Sequence, residues 1–569
     1  MSEWSADSQR RATLRRGLFR RLAYGPRGEH QQAWTTYLGR DPLMRDVSMV
    51  VDLSYGGGER VVLAAAPVLA ALAEPSGSST VARVGAVQLL LEEPQIELSY
   101  TLGSGSSSTR SLSCTIGNLR VDPWSLVLGR GTPLAGHGEV SLIAPGMDWG
   151  ARLVLMRGDM TGGVSFGAAR QGMDVTLSDP KLTADLGVTE FVCDADRFAD
   201  LPDDSLGARF PLALNAPGPV PLVRVTAMTP PTWMVCYGHR HDVATIYVDR
   251  FAYASGSAAF PWTVHYLYDA LGTPYTAVIF GAGTGTWEDT TSVYATLALR
   301  DDADELDVVG VAAHLASRWS LLGPDGLSGP SLTRAASKMG ATIGLPAVYI
   351  NGSSSQDATR ALQYVEQTLC ASYPMLSMAW QVGGYGPVVT DRRARAVAKY
   401  VVGQGILQKR TTDWQESDVT ELYNSVTIRY GYRPLTDDFR GVVTRDATSS
   451  LICQVSEELV GPRVMDPLDS TLIQDASGAE WVADWIVAHM ALPSYLVEHD
   501  ASPQFLLLHS LGDCIDVVDP EITGCDWDHP VRATVDGITY RRGSCTVKLR
   551  LWPLLPKLLA ARAATTTIA

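Results

Sequence analysis

The chain has no continuous apolar run of about 18 residues or more, so the sequence predicts no helix that spans a membrane. The N-terminal stretch is basic, but Arg15, Arg16, Arg20 and Arg21 interrupt its apolar residues, so no secretory signal peptide is expected. Cysteines number 8 in 569 residues and none forms a CxxC pair. That scarcity favours reduced, mostly buried thiols in a protein made in a cytosol.

An excess of positive charge is also missing. The chain has 46 Lys and Arg residues against 61 Asp and Glu residues, and its net charge is −15. This balance argues against a protein that grips nucleic acid by neutralising phosphates. It is compatible with an acidic surface past which DNA slides without binding, because like charges repel at short range.

Apolar residues, glycine and proline are abundant instead. Apolar residues make up 46% of the chain and charged residues 19%, with 52 glycines and 32 prolines. A chain of this length is expected to form three to five domains with sizeable cores. Glycine and proline beside short runs of Val, Thr and Leu are typical of turn-rich β structure.

The local patterns alternate between strand-like and helix-like blocks. Apolar periodicity predicts helices at Pro67–Glu74, Glu305–Ser317, Gln356–Ser372 and Gly478–Met490. Short β-prone runs predict strands at Val47–Leu53, Arg60–Leu63, Gln95–Leu102, Ser111–Ile116, Glu139–Ile143, Ala151–Met156, Met173–Leu177, twice within Val235–Asp249, and at Val426–Tyr430, Ser449–Glu457, Phe505–Leu508, Cys514–Val518, Val531–Val535, Gly537–Tyr540 and Cys545–Leu551. Blocks without a βαβ rhythm predict an α+β, β-rich, multi-domain fold.

The same changes of pattern suggest five divisions of the chain. They are a basic N-terminal arm at 1–45, β-rich domains at 46–229 and 230–300, an α+β domain at 301–420, and a C-terminal β-rich domain at 421–569. The arm carries seven arginines within Gln9–Gly28, with leucines at helical spacing between them. Two interpretations stay open for it: docking on an acidic neighbouring subunit, or a solvated terminus.

Two glycine-containing strings resemble catalytic or phosphate-binding motifs. Gly163-Val-Ser165-Phe-Gly167 matches GxSxG, but a polar stretch precedes it and Gly172 follows closely, so a glycine-rich turn is favoured over a nucleophile elbow. Phe280–Gly285 has closely spaced glycines with no helical pattern behind it, which favours a tight turn over a phosphate loop.

Two polar clusters could begin a metal site. His239 and His241 could share one face of a strand, with Cys236 or Asp242 as a further ligand, but no third and fourth ligand follows at a recognisable spacing. The string Asp526-Trp-Asp-His529 offers two carboxylates and an imidazole, yet a polar turn before Pro530 also explains it. The prediction is therefore no catalytic, cofactor-binding or metal-binding residue, no cofactor and no enzymatic activity.

Ordered stretches over residues 220–551 resemble the hub proteins at the tail tip, or baseplate, of bacteriophages and gene transfer agents. The best match is a helix at Gly478–Met490, then Leu492-Pro493 and a strand, then Leu511–Pro520, in which a Leu-Gly-Asp turn opens a second strand. The other stretches are Pro221–Arg224, Tyr237–Arg240, Tyr247–Asp249, Asp304–Gly344, Tyr349–Asn351, Gln356–Cys370, Tyr373–Leu376, Gly383–Pro387, Asn424–Tyr430 and Gly461–Arg463.

The resemblance implies a structural virion protein, made in the bacterial host cytoplasm and placed at the tail tip. Hubs of this kind are homotrimers in which each chain supplies two tube-like β-barrel domains, so that a pseudo-sixfold ring meets the tail tube. The implied partners are a distal tail or tail tube protein, the tape-measure protein and a central spike or fibre protein, while DNA passes the channel without specific binding. Two alternatives stay open: a tail-associated peptidoglycan hydrolase and a receptor-binding adhesin at the tail tip.

Overall fold

The structure is a computed structural model that describes part of the chain. The described residues are 46–552 except 56–58, 65–67, 72–82, 89, 93–94, 101–110, 118–135, 161–164, 167–171, 179–187, 189–190, 216, 227–230, 256, 259, 282–290, 301–304, 321–325, 340–343, 351–359, 418, 523–524 and 542–543. The predicted N-terminal arm at 1–45 lies outside them. The described part is β-rich with few helices, and its large sheets curl into half-barrels.

A ten-stranded sheet dominates the first part of the chain. Its strand order is β3-β4-β2-β1-β8-β9-β11-β7-β5, with β10 paired to β11. The strands up to β11, including β6, which joins another sheet, are β1 Ser48–Tyr55, β2 Glu59–Ala64, β3 Val68–Ala71, β4 Arg83–Gln88, β5 Leu90–Glu92, β6 Ile96–Ser99, β7 Ser111–Gly117, β8 His137–Ile143, β9 Leu153–Asp159, β10 Ser165–Phe166 and β11 Gly172–Ser178. The pairings among these strands are antiparallel, except that β2 and β4 pair in parallel.

Two four-stranded sheets in the middle of the chain enclose a core of their own. Their orders are β13-β20-β16-β17 and β14-β15-β19-β18, and residues such as Ile246 and Val278 from the two sheets belong to one cluster. The strands of this sandwich, with the preceding β12, are β12 Leu212–Leu214, β13 Val220–Pro221, β14 Val223–Arg224, β15 Thr232–Tyr237, β16 His241–Val248, β17 Phe251–Ala254, β18 Trp262–Tyr268, β19 Pro274–Phe280 and β20 Val293–Leu299.

Helices and short pairings connect the sandwich to the last sheets. The helices are α1 Val308–Arg318, α2 Gly329–Met339, α3 (Ala361–Tyr364, a π segment Val365–Leu369, then Cys370–Ser372), α4 Leu451–Val460, α5 Ala476–Met490 and the single turn α6 Phe505–Leu508; 3₁₀ turns lie at Trp149–Ala151, Asp203–Ser205 and Val419–Glu421. The strands are β21 Val348–Ile350, which pairs with β12, the hairpin β22 Leu376–Gln381 and β23 Gly384–Val389, and a three-stranded sheet of β27 Val426–Arg433, β28 Asp438–Arg445 and β29 Leu468–Asp469. None of the helices in the described ranges is long and apolar enough to cross a membrane.

An eight-stranded sheet completes the fold. Its path is β24-β31-β32-β33-β30-β25, to which β26 adds through β30 and β6 adds through β32. The strands not yet given are β24 Ala398–Val401, β25 Leu407–Arg410, β26 Gln415–Glu416, β30 Tyr495–Ala501, β31 Cys514–Val518, β32 Val531–Arg541 and β33 Ser544–Leu551. Both large sheets contribute to one hydrophobic core, since Leu142 and Val547 lie in the same cluster.

The strand β6 ties the first part of the chain to this last sheet. The first half of β32 pairs with β31, and after a bulge at Asp536 its second half pairs with β6, so that Gly537 lies opposite Ser99. Ile96 and Leu98 are each 2% exposed and enter the core. The pairing crosses the predicted limits of the domains at 46–229 and 421–569, and the division into five domains stays a prediction.

Most predicted elements that fall within the described residues occur as expected, and three are wrong. Pro67–Glu74 was expected to be helical, but Val68–Ala71 is a strand whose ladder with β4 outweighs the helical preference of Leu and Ala. Ser449–Glu457 was expected to be a strand, but α4 begins after Ser450 and buries Cys453 and Val455. Phe505–Leu508 was expected to be a strand, but it is one helical turn that begins after Gln504 and is closed by a bond from the His509 amide to the Phe505 carbonyl over 3.0 Å.

Candidate functional site

The structure separates the two histidines that the sequence offers as a metal pair. His241 is 1% exposed, its Nε2 donates to the Asn215 carbonyl over 2.7 Å, and its Nδ1 lies 3.6 Å from Cys236 Sγ. His239 lies in the β15–β16 connection, where its Nε2 donates to the Leu267 carbonyl over 2.9 Å. Asp242 is exposed and bonds the neighbouring Val243 amide. The predicted ligands therefore do not converge on a common point.

The Cys236–His241 contact resembles a nucleophile and base by residue type only. Burial raises the pKa of the Cys236 thiol to about 12, and burial lowers the pKa of His241 to about 4. Both groups are thus neutral near pH 7, and a thiolate nucleophile is not formed. His241 instead holds the backbone carbonyl of Asn215, whose side chain donates to the carbonyls of Leu306 and Pro346 and accepts the Leu306 amide.

The acidic string near the C-terminus forms a turn. Asp526 Oδ1 accepts the backbone amides of Asp528 and His529 over 2.9 and 2.7 Å, and His529 Nδ1 lies 3.0 Å away. These bonds lower the pKa of the Asp526 carboxyl. Within the described ranges, no three side chains of His, Cys, Asp or Glu are grouped so that they could hold a metal ion.

The glycine-rich strings are described only in part. Ser165 lies in β10 opposite Asp174, and Gly172 already begins β11, while Gly163 and Gly167 lie outside the described residues. In the second string, the Gly281 amide donates to the Pro261 carbonyl over 2.7 Å, and residues 282–285 lie outside the described ranges.

A buried polar network, invisible in the sequence, joins β6 to the C-terminal sheet. Asp536, 3% exposed, accepts bonds from Arg550 Nε (2.8 Å), Thr534 Oγ1 (3.1 Å) and Tyr100 OH (3.2 Å). The Tyr100 hydroxyl in turn accepts a bond from Thr390 Oγ1 over 2.7 Å. Burial raises the pKa of Tyr100 well above its usual range, so it remains a donor. A polar cleft of about 240 Å³ borders this network.

A second network starts from the backbone of Thr390. Trp485 Nε1 donates to the Thr390 carbonyl over 2.6 Å, and the Trp485 ring stacks on His489 with centroids 4.1 Å apart. His489 Nδ1 donates to the Trp485 carbonyl and its Nε2 accepts the Arg392 amide. Burial lowers the pKa of His489 well below its usual range. Helix α5 is thereby fixed to the segment that leads into β24.

The segment between Thr390 and β24 exposes basic side chains, although the chain as a whole is acidic. Arg393, which is bidentate to Asp391, and Arg395 are exposed, and Val397 is 60% exposed. Lys399 Nζ lies 4.3 Å from the ring centroid of Trp527, which is 59% exposed. We call Arg393, Arg395, Val397, Lys399 and Trp527 the basic edge. In the described part of the chain, β24 pairs with β31 along one side and with no strand along the other.

The middle sandwich exposes aromatic rings at one end. Tyr268 is 64% and Tyr266 37% exposed, and the His239 ring lies edge-on to both, 5.0 and 5.7 Å away. The guanidinium carbon of Arg300 lies 4.5 Å from the Tyr266 centroid. We call His239, Tyr266, Tyr268 and Arg300 the aromatic end. Tyr266, Tyr268 and Arg300 were not among the residues singled out from the sequence. The alternation of Tyr266 and Tyr268 could have indicated one face of a strand, but not its meeting with His239 and Arg300.

Comparison with known proteins identifies no family. No protein-family model matches the chain, and no curated protein matches it. Solved structures to which it is similar include a chain of "Virion of native gene transfer agent (GTA) particle", 13% identical, with TM-score 0.15 and 44% of this chain and 80% of that chain covered. Another belongs to "Topological model of p2 virion baseplate in activated conformation", 12% identical, with TM-score 0.16 and coverage of 57% and 90%. TM-scores this low establish no shared fold.

Proposed function

We propose that the chain is a structural virion protein, the trimeric hub at the tip of a bacteriophage-type tail. Its proposed role is to join the tail tube or distal tail ring to a central spike or fibre. The resemblance of Asn424–Tyr430 and Leu511–Pro520 to such hubs motivates the proposal. In the structure these stretches lie in β27 and in the turn and strand β31, where Ile515 and Val517 are fully buried.

The observation that carries the proposal is the presence of two large curled sheets in one chain. One has ten strands, the other eight, and they share a hydrophobic core. Three chains arranged about a threefold axis would present six such sheets, which matches a sixfold tail tube. A head-to-tail interface closes into such a ring when the rotation that relates neighbouring copies brings the last copy into contact with the first.

The basic edge is the surface that we assign to contacts between copies. An open sheet edge is a ready template for another strand, and proteins cover or charge such edges. The cations of the basic edge would contact acidic surface on the neighbouring copy, since the whole chain carries a net charge of −15. The remaining acidic surface would line a channel that lets the tape-measure protein and DNA pass without specific binding.

The test is the assembly state of the purified full chain, measured by native mass spectrometry and negative-stain electron microscopy. The expected result is a trimer with threefold averages and a central channel. Compact monomers across the accessible concentration range, with no incorporation into particles, would overturn the hub assignment. Clearing of purified peptidoglycan that is lost on replacing one carboxylate would favour the hydrolase instead.

The basic edge can be tested with matched variants. The double change Arg395→Glu and Lys399→Glu is expected to shift trimers towards folded monomers, because it reverses the charge of the edge. Arg433→Glu and Arg440→Glu, both exposed and on β27 and β28 of the separate three-stranded sheet, serve as a control with the same change in charge. If both double variants assemble equally, another surface holds the copies together.

A further inference from the structure

The aromatic end lies where the core-facing side of β18 leaves the sandwich. Trp262, Val264, Tyr266 and Tyr268 alternate along the strand and therefore share one face. Trp262 is 4% exposed and packs in the sandwich core, whereas Tyr268 is 64% exposed. The strand thus carries two large rings beyond the part of the sheet that its partner sheet covers.

These rings are held in place before any ligand arrives. Arg300 Nη1 donates to the His239 carbonyl over 3.3 Å, and its backbone amide donates to the Arg240 carbonyl over 3.1 Å. The guanidinium covers one face of Tyr266 at 4.5 Å, while the His239 ring packs in a T-shaped arrangement against Tyr266 at 5.7 Å and Tyr268 at 5.0 Å. A preformed surface loses little side-chain entropy on binding.

The polar groups around the rings are mixed in kind. His239 Nε2 donates to the Leu267 carbonyl, so in the neutral ring Nδ1 is an acceptor. Arg300 supplies only donors, and each tyrosine hydroxyl is both donor and acceptor. An anion would be matched by donors alone, and an aliphatic protein surface would need no polar rim of this kind. Flat aromatic faces bordered by both donors and acceptors fit a polyhydroxylated ring.

We propose that the aromatic end binds a saccharide of a bacterial surface polysaccharide, with sugar rings stacked on Tyr268 and Tyr266. Hydroxyls of the sugar would donate to His239 Nδ1 and accept from the Arg300 guanidinium. The bacterial source of the glycan rests on the proposed virion role. The site itself does not depend on the trimeric state, because every residue named belongs to the middle sandwich or its immediate flanks.

The test uses the labelled full chain on a printed array of bacterial surface glycans. The wild type is expected to bind a subset of glycans, and Tyr268→Ala should weaken that binding by about tenfold through loss of the stacked ring. Tyr268→Phe should retain most of the affinity, because the ring remains. Phe251→Ala is the matched control, since Phe251 is an exposed aromatic residue (70%) of the same sandwich on β17.

Each outcome decides the proposal. Binding that depends on Tyr268 but not on Phe251 supports it. Absence of binding to every glycan on the array overturns it, as does equal loss in the two alanine variants. Unchanged glycan binding by Tyr268→Ala would overturn it, and failure of that variant to enter particles would then favour a protein contact at this surface. The hub proposal is tested separately by the oligomeric state, and none of these glycan-binding results affects it.

Discussion

Replacing Asp536 tests whether the buried network holds β6 to the C-terminal sheet. In Asp536→Ala the Arg550 guanidinium loses the carboxylate that it contacts at 2.8 Å, and Tyr100 and Thr534 lose an acceptor. The side chains of Arg550 and Asp536 are only 16% and 4% exposed. Removing one partner of a buried pair leaves an uncompensated charge and costs about 3–5 kcal/mol. We expect a loss of stability of this order.

The assay must report on the sheet itself, because unfolding of a multi-domain chain need not be two-state. Native-state hydrogen exchange of the amides in Ile96–Ser99 and Val531–Arg541 measures local opening in these paired strands. The free energy of opening is expected to fall in both strands together, because each supplies hydrogen bonds to the other.

A surface ion pair provides the control. Arg429 and Asp469 form a bidentate pair, but both side chains are 43% exposed. Asp469→Ala should therefore cost less than about 1 kcal/mol. If Asp536→Ala changes the opening free energy of β6 and β32 no more than Asp469→Ala does, the network does not hold the two parts of the chain together.

Three further changes follow from local geometry. Gly512 has φ +74°, and a Cβ at this position would lie 2.8 Å from Val388 Cγ1. Gly403 has a similar φ of +84°, but the space around it is open. Gly512→Ala should therefore lower the thermal midpoint of unfolding far more than Gly403→Ala, and equal shifts would contradict this. The fold lowers the pKa of His241 to about 4, so the unfolded chain binds a proton at higher pH than the folded chain does. The free energy of unfolding should therefore fall as pH falls from about 6.5 to about 4, by up to about 1.4 kcal/mol per pH unit. In urea unfolding, His241→Gln should show a smaller dependence of stability on pH, and an unchanged dependence would refute the assignment. Asn215→Gly keeps the left-handed backbone (φ 59°) but deletes three buried hydrogen bonds, so circular dichroism melts should show a loss of about 2–4 kcal/mol, and a change below about 0.5 kcal/mol would count against it.

The sequence predicted correctly those elements in which the spacing of apolar residues matches the face that is buried in the fold. Helix α5 begins after Asp475, whose side chain accepts the Gly478 amide, and its predicted stripe is buried at Ala479, Val482 and Ile486. The Leu511-Gly512-Asp513 turn precedes β31 as expected, and Asp519-Pro520 follows its end. In these places propensity, capping and burial all favour the same structure.

The errors occur where a short apolar run fits either period. Leu451–Val460 contains Ile452, Cys453 and Val455, which are β-prone, yet Leu451, Val455 and Leu459 are also spaced by one helical turn. Helix α2 was missed because glycine and proline open it and serine, threonine and lysine fill its outer face. Packing against neighbouring elements decides such segments, and a single sequence does not contain that information.

The polar networks could not be predicted, because their members are far apart in the chain. Tyr100 and Asp536 are 436 positions apart, and Trp485 meets the Thr390 carbonyl across 95 positions. Thr390 belongs to both networks: its hydroxyl bonds Tyr100 and its carbonyl accepts Trp485. No motif scan combines one residue from each of three distant segments.

The position of Thr390 links folding of the chain to formation of the basic edge. Arg392 and Arg393 lie two and three positions after Thr390, and β24 then pairs with β31, which lies more than 100 residues further along. The same sheet needs β6 from the first part of the chain and β32 from the last. The edge that we assign to contacts between copies is therefore held in place only after nearly the whole chain has been made. If the basic edge makes the proposed contacts between copies, a chain built in this way would complete that surface last, and association of incomplete chains would be limited.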